Sequence, residues 1–352
     1  VQSPRLIRKE NGTELEPVIN GIKDGSLGGV IFAGINPVYS MPDGQEFAEG
    51  IKKLYLSLSF SMKEDETAAV CQYVAATPHY LEGWGDYEFK RGHYALAQPT
   101  IRPLFDTLQF QDVLLLWSGS KMNFHESIQK YWNENLLGGK NWSSVLHDGY
   151  FNAPQNTEVG NTLTDLTEEM NFLASASASG LELVLYTKTG MGDGNQANNP
   201  WLQEFPDPIS RVSWDNYLTV SAIDAKKIGL KNVNVANGAL NGSYANVTVG
   251  EQTLKVPVLI QPGQANGSVG LALGYGERLG LQEEMQVGVN AYLFYNKAKE
   301  VQEVSITAAE GFHEFACVQL HNTLMGRDIV KETTLEIFNT KDKEYWLSLI
   351  HI

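Results

Sequence analysis

Cysteine is nearly absent from this chain. Only Cys71 and Cys317 occur in 352 residues, far apart and outside any Cys-x-x-Cys pair. The chain therefore has no iron–sulfur or zinc ligand set of its own, and both thiols read as small buried hydrophobes. Basic runs are absent too. With 26 Lys and Arg against 41 Asp and Glu, the formal net charge is −15. Such a surface offers no footprint for a phosphate backbone, so nucleic acid is not an expected partner. No apolar stretch reaches the roughly 20 residues of a membrane-spanning helix, so no direct membrane span is expected. No Gly-x-Gly-x-x-Gly follows the first strand, which disfavours ordinary nicotinamide binding. Gly-x-Ser-x-Gly is missing, leaving a hydrolase elbow unsupported. His125-Glu126 would need histidine at 129 to make a zinc-protease helix, and Gln129 stands there.

What is present is ordinary globular protein, 43% hydrophobic and 19% charged, with length for two or three domains. The chain starts at Val1, not Met, and Leu347 to Ile352 matches what a sequencing adapter encodes. The expectation is a fragment cut at both ends, with 347–352 an artefact outside the fold.

The first half reads as α/β. Gly29 to Ala33 is a short buried strand, and Gly34-Ile35-Asn36-Pro37 turns out of it. Gln45 to Lys53 has helical spacing, and Leu54 to Phe60 is a second strand. Asp65 is placed to cap a short helix running through Cys71. Val113 to Trp117 fits strand or helix. Lys121 to about Trp142 reads as one helix, with Ile128, Tyr131, Trp132 and Leu136 on its apolar face. Leu181 to Thr187 is a strand, and Gly190 to Asn199 reads as a linker. From Asn199 to Tyr292, short β-rich runs alternate with Gly, Pro and Asn turns, the pattern of a small barrel. Glu300 to Ile306 adds a strand, and Gly311 to Phe338 reads as a connecting segment.

Thr77 to Asp86 places His79, Glu82, Trp84 and Asp86 on one Gly-punctuated loop. That constellation permits acid–base work or a metal site of His79, Glu82 and Asp86. It equally describes a structured loop whose polar groups satisfy backbone donors. The sequons at Asn11, Asn241 and Asn246 read as turns and chance matches.

The order strand, Gly34-Ile35-Asn36-Pro37, helix, strand, Asp65-Glu66-Thr67-Ala68, Thr77 to Asp86 resembles the third domain of molybdopterin oxidoreductases. That domain has an Asn-Pro loop after a strand, a Glu-Thr-Ala helix and a Pro loop with a Leu-Glu pair. Trp214-Asp215-Asn216, Asp224 to Leu230 and Pro262-Gly263 resemble the family's C-terminal dinucleotide-binding barrel. A narrower resemblance rests on His79 to Asp86, Gln98 to Phe105 and Asn199 to Asn216. It is to the molybdopterin-oxidoreductase-like half of the iron–sulfur subunit of bacterial alternative complex III.

The resemblance implies an α/β Rossmann-like domain, partial, over 1–190 and a double-psi, molybdopterin-dinucleotide-binding-like β-barrel over 198–297. A connecting segment over 298–346 would lead to a missing iron–sulfur domain. Carried over by position, Asn36 and Glu82 would lie near the family's cofactor cleft, with Asn216 and Asn290 facing it from the barrel. Carboxamides offer donors and acceptors together, as pterin edges require. The family's molybdenum ligand lies earlier in the fold, so no catalytic or metal residue is expected here.

The narrower resemblance, to alternative complex III, implies a scaffold with no cofactor of its own, on the periplasmic side of the inner membrane. Iron–sulfur clusters would sit in the following half. Partners would include multihaem cytochrome and quinol-binding membrane subunits. Two alternatives are a fragment of a catalytic molybdopterin oxidoreductase, holding molybdopterin guanine dinucleotide, and a non-redox double-psi barrel binding module.

Overall fold

The computed structural model describes residues 12–153, 167–175, 180–235, 239–296, 302–318 and 332–347. The sequon at Asn11, the start of the expected connector and Ser348 to Ile352 lie outside these residues.

The first unit is a parallel sheet with helices on one face. Helix α1 (Gly12–Lys23) leads to β1 (Gly29–Ala33), then α2 (Pro37–Ser40), α3 (Gly44–Ile51), β2 (Leu56–Ser61) and β3 (Tyr73–Ala76). The strands lie in the order β1-β2-β3, all parallel. Ile22, Phe32, Phe47, Ile51 and Leu54 form the core between sheet and helices. The helix expected from Asp65 to Cys71 is only a 3-10 turn, Ala68–Val70, although Asp65 does accept a bond from the Ala68 N–H at 2.9 Å.

The second unit pairs an antiparallel sheet with three helices. It contains β4 (Gly85–Lys90), β5 (His93–Ala97), α4 (Phe110–Trp117), α5 (Phe124–Asn135), α6 (Trp142–Asp148) and β6 (Tyr150–Asn152). The one helix expected over Lys121 to Trp142 is two, α5 and α6. Gly138 and Gly139 both take positive φ between them, which ends an α-helix. Asn123 and Glu126 start α5 with a reciprocal capping box, and Asn141 caps α6. Trp132 is fully buried among Trp142, Phe151 and Ile128, and its indole donates to Asp86 at 2.9 Å.

After α7 (Thr167–Ser175) the chain enters a barrel. Its elements are β7 (Leu181–Tyr186), α8 (Pro200–Glu204), β8 (Val212–Ser213), β9 (Leu218–Val220), α9 (Ala222–Ile228), β10 (Asn232–Asn234), β11 (Leu240–Val249), β12 (Gln252–Ile260), β13 (Ser268–Ala272) and β14 (Gln302–Cys317). The order β11-β12-β9-β13-β7-β14 closes on itself, because β14 pairs back onto β11. The ring has six strands, with parallel pairs β9–β12 and β7–β13. Leu218, Val247, Val256, Val258, Val269 and Leu271 fill it, as closure buries the inward side of every strand. Helices α10 (Leu335–Thr340) and α11 (Lys343–Leu347) follow.

Three expected boundaries change. Strand β7, assigned by sequence to the α/β domain, is a barrel strand. Strand β14, assigned to a connector, supplies the closing strand. The stretch 190–199 is no loose linker: Met191 and Ala197 are buried with Tyr275 and Leu281. Asn241 and Asn246 lie within β11, not in turns. Replacing Leu271, which is fully buried at the ring centre, by Ala is expected to cost about 2–5 kcal/mol. Urea denaturation would measure it.

Candidate functional site

The carboxyl ends of parallel strands are where open α/β sheets place ligands, since loops diverge there. A cavity of about 500 Å³ opens at the ends of β1, β2 and β3. Its walls include Gly34, Lys63, Thr77, His79, Trp84 and Gln196. Lys63 crosses to the barrel side, donating to the Asn195 carbonyl at 2.8 Å. Trp84 stacks on His125 with ring centroids 3.8 Å apart and planes 6° apart.

Asn36 stands at the entrance to α2, where its carbonyl accepts the Ser40 N–H at 3.0 Å but its side chain makes no cap bond. Its Nδ2 donates to Glu66 at 2.6 Å, and its Oδ1 accepts from the Thr67 N–H and hydroxyl at 3.1 and 2.7 Å. The other Glu66 oxygen accepts the Leu279 N–H from the barrel at 2.6 Å. Next to it, Tyr39 donates to the Tyr275 carbonyl at 2.8 Å and packs edge-on against Tyr292. The Arg278 guanidinium lies 3.8 Å above the Tyr39 ring and donates to the Gly194 carbonyl. Asn290 donates to the Tyr39 carbonyl at 3.2 Å and accepts the Tyr292 N–H at 3.0 Å. Asn36 and Asn290 are thus brought to one interdomain clasp.

Asn216 is elsewhere, fully buried inside the barrel. It donates to the carbonyls of Ala272 and Val289 at 2.8 and 2.9 Å and accepts the Val289 N–H at 2.9 Å. Gly288 makes room for it: a Cβ there would sit 2.4 Å from the Asn216 oxygen. The adjoining loop is strained, with Arg211 and Trp214 both at positive φ. Lys188 holds it by donating to the Asp215 carbonyl at 2.7 Å, over the Tyr217 ring. His313 meets the Asp215 carboxylate at 2.7 Å and the Tyr244 hydroxyl at 3.1 Å. Sequence reading missed Tyr39, Lys188, Arg278 and His313, because each bonds partners far away in the chain.

Glu82 accepts the His79 N–H at 3.0 Å and the Leu104 N–H at 3.3 Å. Asp86 accepts the Trp132 indole. His79 and Glu82 form a reciprocal cap on the turn Tyr80–Glu82 while Asp86 serves Trp132, and this is the structured-loop arrangement. Among the described residues, no three His, Cys, Asp or Glu side chains are grouped to hold a metal ion.

No known family profile matches the chain. It is similar to the menaquinone reductase, molybdopterin-binding-like subunit, of Nitratidesulfovibrio vulgaris, 25% identical over 256 residues. The match takes in 68% of this chain and 35% of that protein. In structure it resembles acetylene hydratase from Pelobacter acetylenicus, with a TM-score of 0.57 and 11% identity over 83% of this chain and 46% of the other. Over that span the chain shares the fold of acetylene hydratase. It spans about a third of the curated relative's length and under half of the structural neighbour's.

A pterin dinucleotide brings a pyrophosphate, which proteins hold with backbone N–H groups and cations. The strand-end cavity sets one lysine, Lys63, against Asp65 and Asp86. A second cavity of about 480 Å³ has, among the described residues, Asp193 as its one charged lining residue. A third, of about 930 Å³, has Lys23 beside Glu16, Asp43 and Glu303, and Lys23 is paired with Asp43. None of the three fits the dinucleotide's charge.

Two outcomes are expected. Asn216→Ala would remove the partner of three backbone groups, one in a buried bond and two in part-buried ones, and cost about 2–4 kcal/mol by urea denaturation. Lys188 is pulled down to about 8 by burial, against the opposing pull of Asp207 and Asp215. The unfolded chain then binds the extra proton between pH 8 and the ordinary lysine range near 10.5. The lysine's destabilising contribution is full below pH 8 and fades as pH rises through that window. The stability of the wild type minus that of Lys188→Met should therefore rise from pH 8 to 10, as followed by denaturation at each pH.

Proposed function

We propose that the chain is the molybdopterin-oxidoreductase-like part of a respiratory electron-transfer subunit, acting as a scaffold without a molybdenum cofactor of its own. One observation carries this reading. Asn36, Glu82, Asn216 and Asn290, the residues placed by resemblance at the cofactor cleft, bond the protein's own groups. The excess of carboxylates over cations along the cavities points the same way.

The curated relative is a subunit of a menaquinone reductase, which supports a quinone-linked role. In this reading the complex is of the alternative complex III type, and the six-stranded ring is of the double-psi kind. Electrons travel through iron–sulfur clusters in a separate, Cys-rich domain, at the periplasmic side of the membrane. Multihaem cytochrome and quinol-binding membrane subunits are the partners. Among the described residues no helix is long and apolar enough to cross a membrane, so attachment through those partners fits.

Purified chain is expected to contain molybdenum and extractable pterin at background level only. Plasma mass spectrometry and fluorescence of oxidised extracts would measure both. Stoichiometric molybdenum with pterin would sink the scaffold reading and favour a catalytic molybdopterin oxidoreductase.

A further inference from the structure

The cavity at the ends of β1, β2 and β3 is walled by aromatic rings. Phe60, Tyr80, Trp84, Tyr87, Phe110 and Phe124 all line it. Such rings carry negative charge on their faces, and those faces attract cations. Trp84 is held from two sides. Gln109 grips its backbone, accepting the Trp84 N–H at 2.9 Å and donating to the Trp84 carbonyl at 2.8 Å. His125 stacks flat on one face of the indole and does not itself line the cavity. The other indole face is therefore the one turned to the cavity.

The charges agree with the rings. Asp65 accepts from the Ala68 N–H and the Ser61 hydroxyl, and Asp86 accepts from the Trp132 indole. These donors are neutral, so both carboxylates keep their negative charge. Lys63 is the one Lys or Arg of the lining. Its ammonium is committed to the Asn195 carbonyl, and burial, helped by Arg278, lowers its pKa. An anion is disfavoured in such a place. A bare metal ion is disfavoured too, because it needs converging oxygen ligands. Asp65 and Asp86 bond separate segments, and among the described residues no three His, Cys, Asp or Glu side chains group to hold a metal. An organic cation fits both features, since its alkyl shell lies against ring faces without the loss of a tight hydration shell. The volume of about 500 Å³ has room for one with an apolar body.

We propose that this cavity binds a quaternary ammonium or similar alkylated amine, its head on the open face of Trp84 and in the field of Asp65 and Asp86. The proposal rests on the reading of a cleft without a molybdenum cofactor, because a dinucleotide would occupy the same space.

The probes are choline and its uncharged analogue with carbon in place of the nitrogen. Each is titrated calorimetrically into the 352-residue chain at one fixed sodium chloride concentration. Choline should bind saturably and at least about tenfold more tightly than the uncharged analogue. Trp84→Leu should weaken choline binding about tenfold, and Trp84→Phe should restore part of the loss. Lys63→Met removes the opposing cation and should tighten choline binding about threefold, a gain that misfolding does not produce. Equal binding of the two probes would overturn the proposal. So would choline binding that ignores Trp84, or the absence of saturable binding. Molybdenum is assayed in the same sample. Failure of choline to bind with molybdenum at background sinks this site alone, whereas stoichiometric molybdenum sinks both readings.

Discussion

One carboxylate holds this architecture together. Glu66 takes an N–H of Asn36 on one oxygen and the Leu279 N–H on the other. The first bond fixes the loop that leaves β1, and the second fixes the barrel against it. Arg278, buried over Tyr39, lies 4.0 Å from the same carboxylate. Taking the Arg278 guanidinium out of water is costly. Its contacts with Tyr39, Gly194 and Glu66 offset that cost in this arrangement, although its Nε is buried without a hydrogen-bond partner. The clasp therefore tolerates one relative placement of the two units and few others. Tyr39 fills its centre, and burial holds its phenol neutral by pushing its pKa up.

The barrel obeys the same logic at its own loops. Asn216 reads three backbone groups on two segments, while Lys188 and His313 fasten the neighbouring Asp215. The strained backbone at Trp214 persists because those contacts overdetermine it. The carboxamides that the resemblance assigns to a ligand cradle bond the protein's own groups here, as struts do. A carboxamide suits either task, since it offers donor and acceptor from one planar group. What separates the two roles is whether a backbone partner is already within reach.

Much of the fold was legible in sequence. The strand at Gly29 to Ala33, the turn at Asn36-Pro37 and the alternating runs after Asn199 carry local signals that survive folding. Pairing was not legible. Leu181 to Tyr186 looks like any short apolar strand, and nothing local assigns it to the barrel. Gln302 to Cys317 contains a glycine at a bulge, Gly311 with φ of 99°, which breaks the strand pattern on paper but not in the ladder. The resemblance singled out Asn36 and Asn290, yet their bonding was not legible. It depends on Glu66 and Tyr39, whose roles emerge only when distant segments meet.

Strand β14 has a consequence for how the chain is made. It pairs with β7, β11 and β8, and it closes the ring. On a ribosome, residues 181–186 leave the tunnel long before residues 302–304 exist. Until then β7 has an unpaired edge and the ring stays open, with its apolar lining within reach of solvent. Such late, long-range closure is slow and leaves a sticky intermediate. The α1–β3 unit, whose contacts are local, can order first and offer Tyr39 as a fixed post. Synthesis thus runs from anchor to clasp to lock, and a chain truncated ahead of Gln302 would lack the lock.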